Sequence, residues 1–399
     1  MRLKGVRALA RAGLCGAFVL ALAAPAAAAE AAAAAATAKA AASAATAGAV
    51  AAIEGESQQA EVKKKDKLLL PAVPVVAYSR ETNFLFGVMM VRAFRWKDAL
   101  PDTRPNTIAL SGFYSLENQW AVGFAPSVYL HGDDYLVKAQ IYHHRTPARF
   151  WGVGTEAGEK GVWEDFTATG TGVTFSATKK IFRSLRLGPG IWYGAATIPV
   201  KEPGGALDSD AVTGSDGGTD VGVELQGEWD SRDNIYAPSK GTYLQFWGGL
   251  HRDYLGSDFH YEDYLFDVRR FFPLGAGQVL ALQAKGRVMT GDPPFYRLPT
   301  LGGIGMMRGL YDGRFRDKTM AAAQAEYRFP IWDVLGGAVF AGLGEVAGQP
   351  SEMSMSALQF TAGVGLRLAL DSKERINLRF DLGYSKYGVF PIVVITEAF

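Results

Sequence analysis

Between Pro71 and Phe399, apolar and polar residues alternate in short runs separated by turn-forming residues. Side chains of a strand point alternately to its two faces, so a period of two demands strands with two unlike faces. In 220–230, Asp220, Gly222, Glu224, Gln226, Glu228 and Asp230 fall on one face; Val221, Val223, Leu225, Gly227 and Trp229 fall on the other. In 358–368, Leu358, Phe360, Ala362, Val364, Leu366 and Leu368 oppose Gln359, Thr361, Gly363, Gly365 and Arg367. In 375–384, Ile376, Leu378, Phe380, Leu382 and Tyr384 oppose Arg375, Asn377, Arg379, Asp381 and Gly383. One face is greasy; the other carries charges of both signs and many glycines.

Such alternation also suits a soluble sandwich, but three features favour a membrane barrel. The basic residues Arg2, Lys4, Arg7 and Arg11 precede an apolar stretch over 14–23, and Ala27, Ala28 and Ala29 supply small residues for cleavage. Residues 1–29 therefore read as an export signal, with Glu30 opening the mature chain. The alternating segments cluster near the roughly 9–11 residues that a tilted strand needs to cross a bilayer. The apolar run with Val393, Val394 and Ile395 closes on Phe399, as in many outer-membrane barrels. No later stretch is long and apolar enough for a helical span. A chain that crosses lipid without helices must close its sheet, because an open edge would strand backbone groups in hydrocarbon.

The expected fold is all-β: a transmembrane antiparallel β-barrel of about sixteen strands in the bacterial outer membrane, the first near 73–79 and the last near 389–399. Three connections are long, 146–162, 198–217 and 290–318. Long loops belong outside the cell and short turns in the periplasm. The first of the three breaks that parity, which implies a misplaced hairpin. The barrel domain is 71–399. Residues 30–70 are Ala-rich, with Lys63, Lys64, Lys65 and Lys67 near their end. They hold too few large apolar residues for a core and read as a periplasmic tail.

Composition removes several functions. A formal net charge of +1 leaves no footprint for nucleic acid. The single cysteine, Cys15, lies within the signal, so the mature chain has no disulfide and no thiolate metal site. Asp208, Asp210, Asp216 and Asp220 cluster in a Gly-rich stretch without the spacing of a calcium loop. His143 and His144 are adjacent and point to opposite faces. The histidines show no serine and orienting acid converging on one wall, so no catalysis and no cofactor are expected. Phe150, Trp151, Trp163 and Trp192 fit an interfacial aromatic girdle.

The stretch 298–330 carries the most specific signal. It contains Met307, Arg308, Gly309, Leu310 and Tyr311, and runs on through Gln324 to Pro330. Upstream stand Trp229, Asp230, Ser231, Arg232, Asp233 and Asn234, followed by Pro238 and Gly241. Over 71–399 the chain resembles the BamA/TamA outer-membrane protein superfamily, the bacterial surface antigens. In that family a long loop before the twelfth strand folds into the lumen, and its arginine contacts acids on the inner wall. The resemblance makes Arg308 a latch within 307–311. Leu310 stands where an aromatic is usual, with Tyr311 next to it. Glu326 and Asp381 face the lumen in the alternation and are the first candidate partners. Relatives carry an aspartate after a phenylalanine in the thirteenth strand. Here Phe340 is followed by Ala341 and Gly342, and the nearest acid is Glu345.

Residues 30–70 are too short for the periplasmic POTRA modules of family members that insert or translocate proteins. The resemblance therefore implies a barrel-only member that assists translocation or assembly of an unidentified partner. The alternative is a passive pore for small solutes. Its inner wall would mix Glu224, Glu228, Lys285, Arg287, Arg367 and Arg379, which gives little ion selectivity. Implied partners are outer-membrane lipids, the outer-membrane assembly machinery through the C-terminal strand, and a client or periplasmic protein. Pro74 in the first strand and Pro391 in the last cannot donate ladder hydrogen bonds. A short or weak closing seam around Pro74, Pro391 and Phe399 is one reading; prolines tolerated at strand ends is the other.

Overall fold

The computed structural model describes residues 72–96, 104–209, 211–372 and 375–399. The expected export signal and the 30–70 tail lie outside these residues. Sixteen strands close into a single antiparallel barrel. The first eleven are β1 (Ala72–Ser79), β2 (Asn83–Phe94), β3 (Asn106–Ser115), β4 (Trp120–Leu130), β5 (Tyr135–Phe150), β6 (Glu164–Phe182), β7 (Leu185–Val200), β8 (Gly217–Asp230), β9 (Gly241–His251), β10 (Tyr261–Gly275) and β11 (Gln278–Gly291). Two short strands, β12 (Thr300–Leu301) and β13 (Phe315–Arg316), pair with each other outside the barrel sheet. The barrel resumes with β14 (Thr319–Trp332), β15 (Leu335–Ala347), β16 (Gln359–Asp371), β17 (Ile376–Ser385) and β18 (Gly388–Ile395). Neighbours in the sheet are neighbours in the chain, except that β11 pairs with β14 and β1 closes on β18.

The alternation sets which way each residue points. On β16, Phe360, Val364 and Leu366 are exposed while Gln359, Thr361 and Arg367 are buried. On β17, Phe380, Leu382 and Tyr384 are exposed while Arg379 and Asp381 are buried. Large apolar side chains on the outside and charges within suit lipid as the surrounding solvent. Tight turns rest on residues that tolerate positive φ: Gly275, Ala276 and Gly277 between β10 and β11 have φ of 89°, 50° and 76°.

The connections 151–163, 201–216, 252–260, 292–318 and 348–358 all leave the same end of the barrel. The expected parity break is therefore an error. Strand β5 runs on to Phe150 instead of ending at residue 145, and the three longest connections, 151–163, 201–216 and 292–318, each follow an odd-numbered barrel strand. The first of them carries a short helix, α1 (Thr155–Lys160). By the loop-length rule this end faces outside and the short turns face the periplasm.

Closure is uneven. All eight residues of β1 are in register with β2, but β1 and β18 share one registered position, Tyr78 with Val393. Strand β18 stops at Ile395, and Thr396 adopts φ 92°. Residues beyond it turn into the barrel. Glu397 is drawn to Arg367 at 2.7 Å, and the buried Phe399 packs on Phe271 with ring centroids 6.3 Å apart. Phe399 thus does not lie at the seam. The left-handed turn at Thr396 and the pull of Arg367 on its neighbour take it inside.

Candidate functional site

The connection 292–318 is the longest between barrel strands among the described residues, and it turns inward. Arg308, Arg316, Met307, Leu301, Phe315, Leu310 and Phe295 are almost fully buried. Arg308 donates from one terminal nitrogen to Glu326 on β14 at 2.5 Å and from the other to Asp381 on β17 at 2.6 Å. Its guanidinium also lies 3.6 Å from the centroid of the Phe340 ring on β15. A planar fork can meet two carboxylates and an aromatic face at once, which an ammonium cannot.

The sequence around Arg308 follows from close approach. Met307 takes φ 54° and Gly309 φ 126°. A Cβ on Gly309 would lie 2.7 Å from the carbonyl oxygen of Tyr384, so only glycine lets the loop backbone rest on β17. Gly383 answers it from the strand, where a Cβ would run into the carbonyl of Arg308. The Ser385 hydroxyl donates to the Gly309 carbonyl at 2.5 Å. Leu310 fills an apolar cluster with Leu301, Met307, Phe315, Met320 and Val346. Tyr311 takes an aromatic neighbour instead, its ring 5.0 Å from that of Trp151. Gly383 and Ser385 are missed by a motif reading because they lie in a strand far along the chain.

Around this contact four guanidiniums face three carboxylates. Arg367 reaches Asp381 at 2.6 Å, Glu397 at 2.7 Å and Glu326 at 3.3 Å. Arg328 reaches Glu326 at 2.6 Å, and Arg379 reaches Asp381 at 3.0 Å. Glu345 is not part of the network. It sits five positions nearer the loop end of β15 than Phe340, and its carboxylate accepts the Ser354 amide at 2.9 and 3.0 Å.

A second anchor appears on the opposite wall. Arg297 of the same connection lies 3.4 Å from Asp220 on β8 and 4.3 Å from the Trp192 ring centroid on β7. Asp220 also accepts from Trp192 at 2.8 Å, from Tyr261 at 2.8 Å and pairs with His251 at 2.6 Å. Burial works against the Arg297 charge, but Tyr261 and Asp220 outweigh it and hold its pKa above the ordinary value. Asp220 is therefore an inner-wall residue, as its place on the polar face of 220–230 implies, and does not belong with Asp208 and Asp216 in a polar loop. Trp192, Phe150 and Trp151 are likewise buried inside, while Trp163 is exposed. The girdle expected of the first three fails because glycines at 188, 190 and 194 leave room on the inner face of β7, and because β5 carries on to Phe150 and delivers Trp151 to Tyr311. Arg316 differs from both anchors: it donates only to backbone carbonyls of Gly313 and Arg149, and burial lowers its pKa to about 10 with only Asp312 opposing. Pro74 is exposed on β1 and Pro391 lies mid-strand on β18, each paired with its inner neighbour strand. Continuing the Tyr78–Val393 register would set Pro74 opposite Glu397, which has left the sheet. Among the described residues no group of acids, histidines or cysteines could hold a metal ion.

Residues 104–388 match the Omp85 superfamily domain. Comparison with curated proteins finds no match. The fold is similar to that of BamA from Haemophilus ducreyi lacking POTRA domains 1–3, with a TM-score of 0.59, 14% identity, and 82% of this chain and 70% of that one covered. It is also similar to CdiB from Acinetobacter baumannii, at 0.56 and 13%, covering 81% of this chain and 58% of that one. CdiB from Escherichia coli gives 0.54 and 12%, with 83% and 64% covered. Against both CdiB structures the chain spans less than two thirds of the partner's length. The domain match covers well over half of the sequence, and with the sixteen-strand closure behind it the protein belongs to the Omp85 superfamily, as a barrel of the bacterial outer membrane.

Proposed function

We propose that this barrel assists the passage or assembly of a polypeptide partner at its β1–β18 seam, with the lumen kept shut by the 292–318 loop. The supporting observation is the contrast between the seam, registered at Tyr78 and Val393 alone, and the fully registered pair of β1 with β2. A strand edge left unpaired is a template for another strand. In this reading Arg308 is the latch: Glu326 and Asp381 hold it, Met307, Leu310 and Tyr311 seat it, and Gly309 lets it approach. The charges around Arg308 are tied up in ion pairs, so they serve the loop and not a stream of ions. The likeness to the BamA and CdiB barrels supports the barrel fold on which this proposal rests, and it identifies no client.

Two measurements test the reading. Single-channel recording of the purified protein should show no conductance or small flickering steps; a large steady conductance would return the barrel to the passive-pore reading. Cysteines at Tyr78→Cys with Val393→Cys should crosslink readily, and Val76→Cys with Ile395→Cys should not. Efficient crosslinking of both pairs would mean a continuous seam and remove the proposed route.

A further inference from the structure

The outer wall carries a groove that neither the loop nor the seam explains. Its volume is about 1030 Å³. One registered row crosses it: Arg270 of β10 beside Leu282 of β11, then Ala325 of β14, Ala341 of β15, Ala362 of β16 and Tyr384 of β17. These positions face outward, because their chain neighbours Arg269, Gln283 and Glu326 are buried in the lumen. Three alanines in succession form a depression in a wall of larger groups, with Phe360 and Leu343 standing exposed beside it.

The row is not level in the membrane. Arg270 lies five residues from the periplasmic end of β10, and Tyr384 is the penultimate residue at the outer end of β17. With strands about 4.8 Å apart, five steps span about 24 Å. Strands tilt by roughly 35–45°, so this path climbs about 15 Å, half of a hydrocarbon core about 30 Å thick and about the depth of one leaflet's acyl chain.

A second, independent feature sits at the periplasmic end. Arg270 is exposed on the lipid-facing side, donates to the Thr242 hydroxyl at 2.5 Å, and lies 5.2 Å from the Phe272 ring centroid. Among the described residues no carboxylate comes within ion-pair distance of it. A cation on a lipid-facing strand is tolerated where it reaches the interface and its anionic headgroups.

We infer that this groove binds one phospholipid of the periplasmic leaflet, with its phosphate on Arg270 and one acyl chain along Ala325, Ala341 and Ala362. The inference stands apart from the proposed latch and seam: of the row only Tyr384 meets the loop, through its backbone against Gly309, and none of it lies at the seam.

Native mass spectrometry of the full chain in detergent, loaded with palmitoyl-oleoyl phosphatidylglycerol, tests it. The wild type should retain a single lipid. Arg270→Gln should lower retention about tenfold, in line with loss of one charged hydrogen bond. Ala341→Phe fills the groove from outside and should abolish retention, as should Ala325→Leu if the first variant folds poorly. Heat-modifiable mobility on a gel shows that each barrel is closed. Equal retention by all three proteins would overturn the site. So would loss with Arg270→Gln alone, which would leave a headgroup contact without an acyl seat. A dimer that Ala341→Phe dissolves would assign the groove to a second copy of the chain and equally overturn the lipid reading.

Discussion

The inner face of β14–β17 and that of β1–β4 enclose the same lumen with opposite chemistry. The first presents Glu326, Arg328, Arg367, Arg379 and Asp381, knitted into a network that captures Arg308. The second presents Val75, Leu85, Met89, Val91, Ala109 and Phe113 in one apolar cluster, joined by Tyr236 from the β8–β9 turn. Ion pairs out of water demand particular partners and geometry, so the charged wall specifies where a loop docks. Apolar contact is non-directional and lets surfaces slide or part. On its β1 side the weakly registered seam thus adjoins apolar groups and neutral hydroxyls such as Thr107, Ser111 and Ser115, in place of a network of ion pairs.

The difference can be broken from the charged side first. Glu326→Ala leaves four guanidiniums facing two carboxylates in a buried site. Removing one partner of a buried pair costs about 3–5 kcal/mol, so this variant should lose heat-modifiable mobility at the lowest temperature of any substitution considered. Stability equal to wild type would mean that the network is wet and screened. Arg308→Ala is milder, because Arg328, Arg367 and Arg379 still neutralise the acids. Loss of its charged hydrogen bonds is worth about 2–3 kcal/mol, and freeing the loop should add conductance steps. Arg308→Lys should recover little, since an ammonium cannot fork between Glu326 and Asp381. On the other wall, Met89→Ala should cost about 2 kcal/mol, at the low end for buried Met to Ala. It should leave conductance unchanged, because Met89 touches no part of the loop's ion network; new conductance steps from it would erase the contrast between the walls.

The period-two pattern made the barrel legible because lipid enforces the inside–outside rule on every strand. Strand count and loop positions followed from it. Which residue pairs across the lumen was only half legible. Glu326 and Asp381 share the lumen face in the alternation, so Arg308 could be aimed at them. Asp220 falls on the polar face of 220–230, but nothing in the sequence shows that Arg297 of a distant connection reaches it. Trp192 looked like a girdle residue because nothing in a strand's own sequence shows that its inner neighbours are small enough to admit an indole. The turn of Thr396 into the lumen depends on Arg367, thirty residues from Glu397, and the terminal pattern alone suggests an ordinary last strand.

The smallest expected effect lies where the apolar wall meets the periplasm. The turn 231–240 carries Tyr236 into the apolar cluster beside the seam, and Asp233 of that turn pairs with Arg375 at 2.7 Å. Burial raises the Asp233 pKa, but hydrogen bonds from the Ser239 hydroxyl, Arg375 and the Lys240 and Ser239 amides outweigh that and hold it at about 2. A carboxylate held below its ordinary pKa stabilises the fold fully above its unfolded value and loses that contribution as pH falls through the folded one. The turn 231–240 should therefore be pinned at pH 7 and loosen between about pH 4 and pH 2. Arg375 is exposed, so the pair is worth under about 1 kcal/mol. A nitroxide on Pro238→Cys should report a spectrum that sharpens only under acid in the wild type and at every pH in Arg375→Ala. An unchanged spectrum down to pH 2 would mean that Tyr236 holds the turn by burial alone. The apolar wall would then have a fixed floor, and any opening at the seam would have to occur without moving this turn.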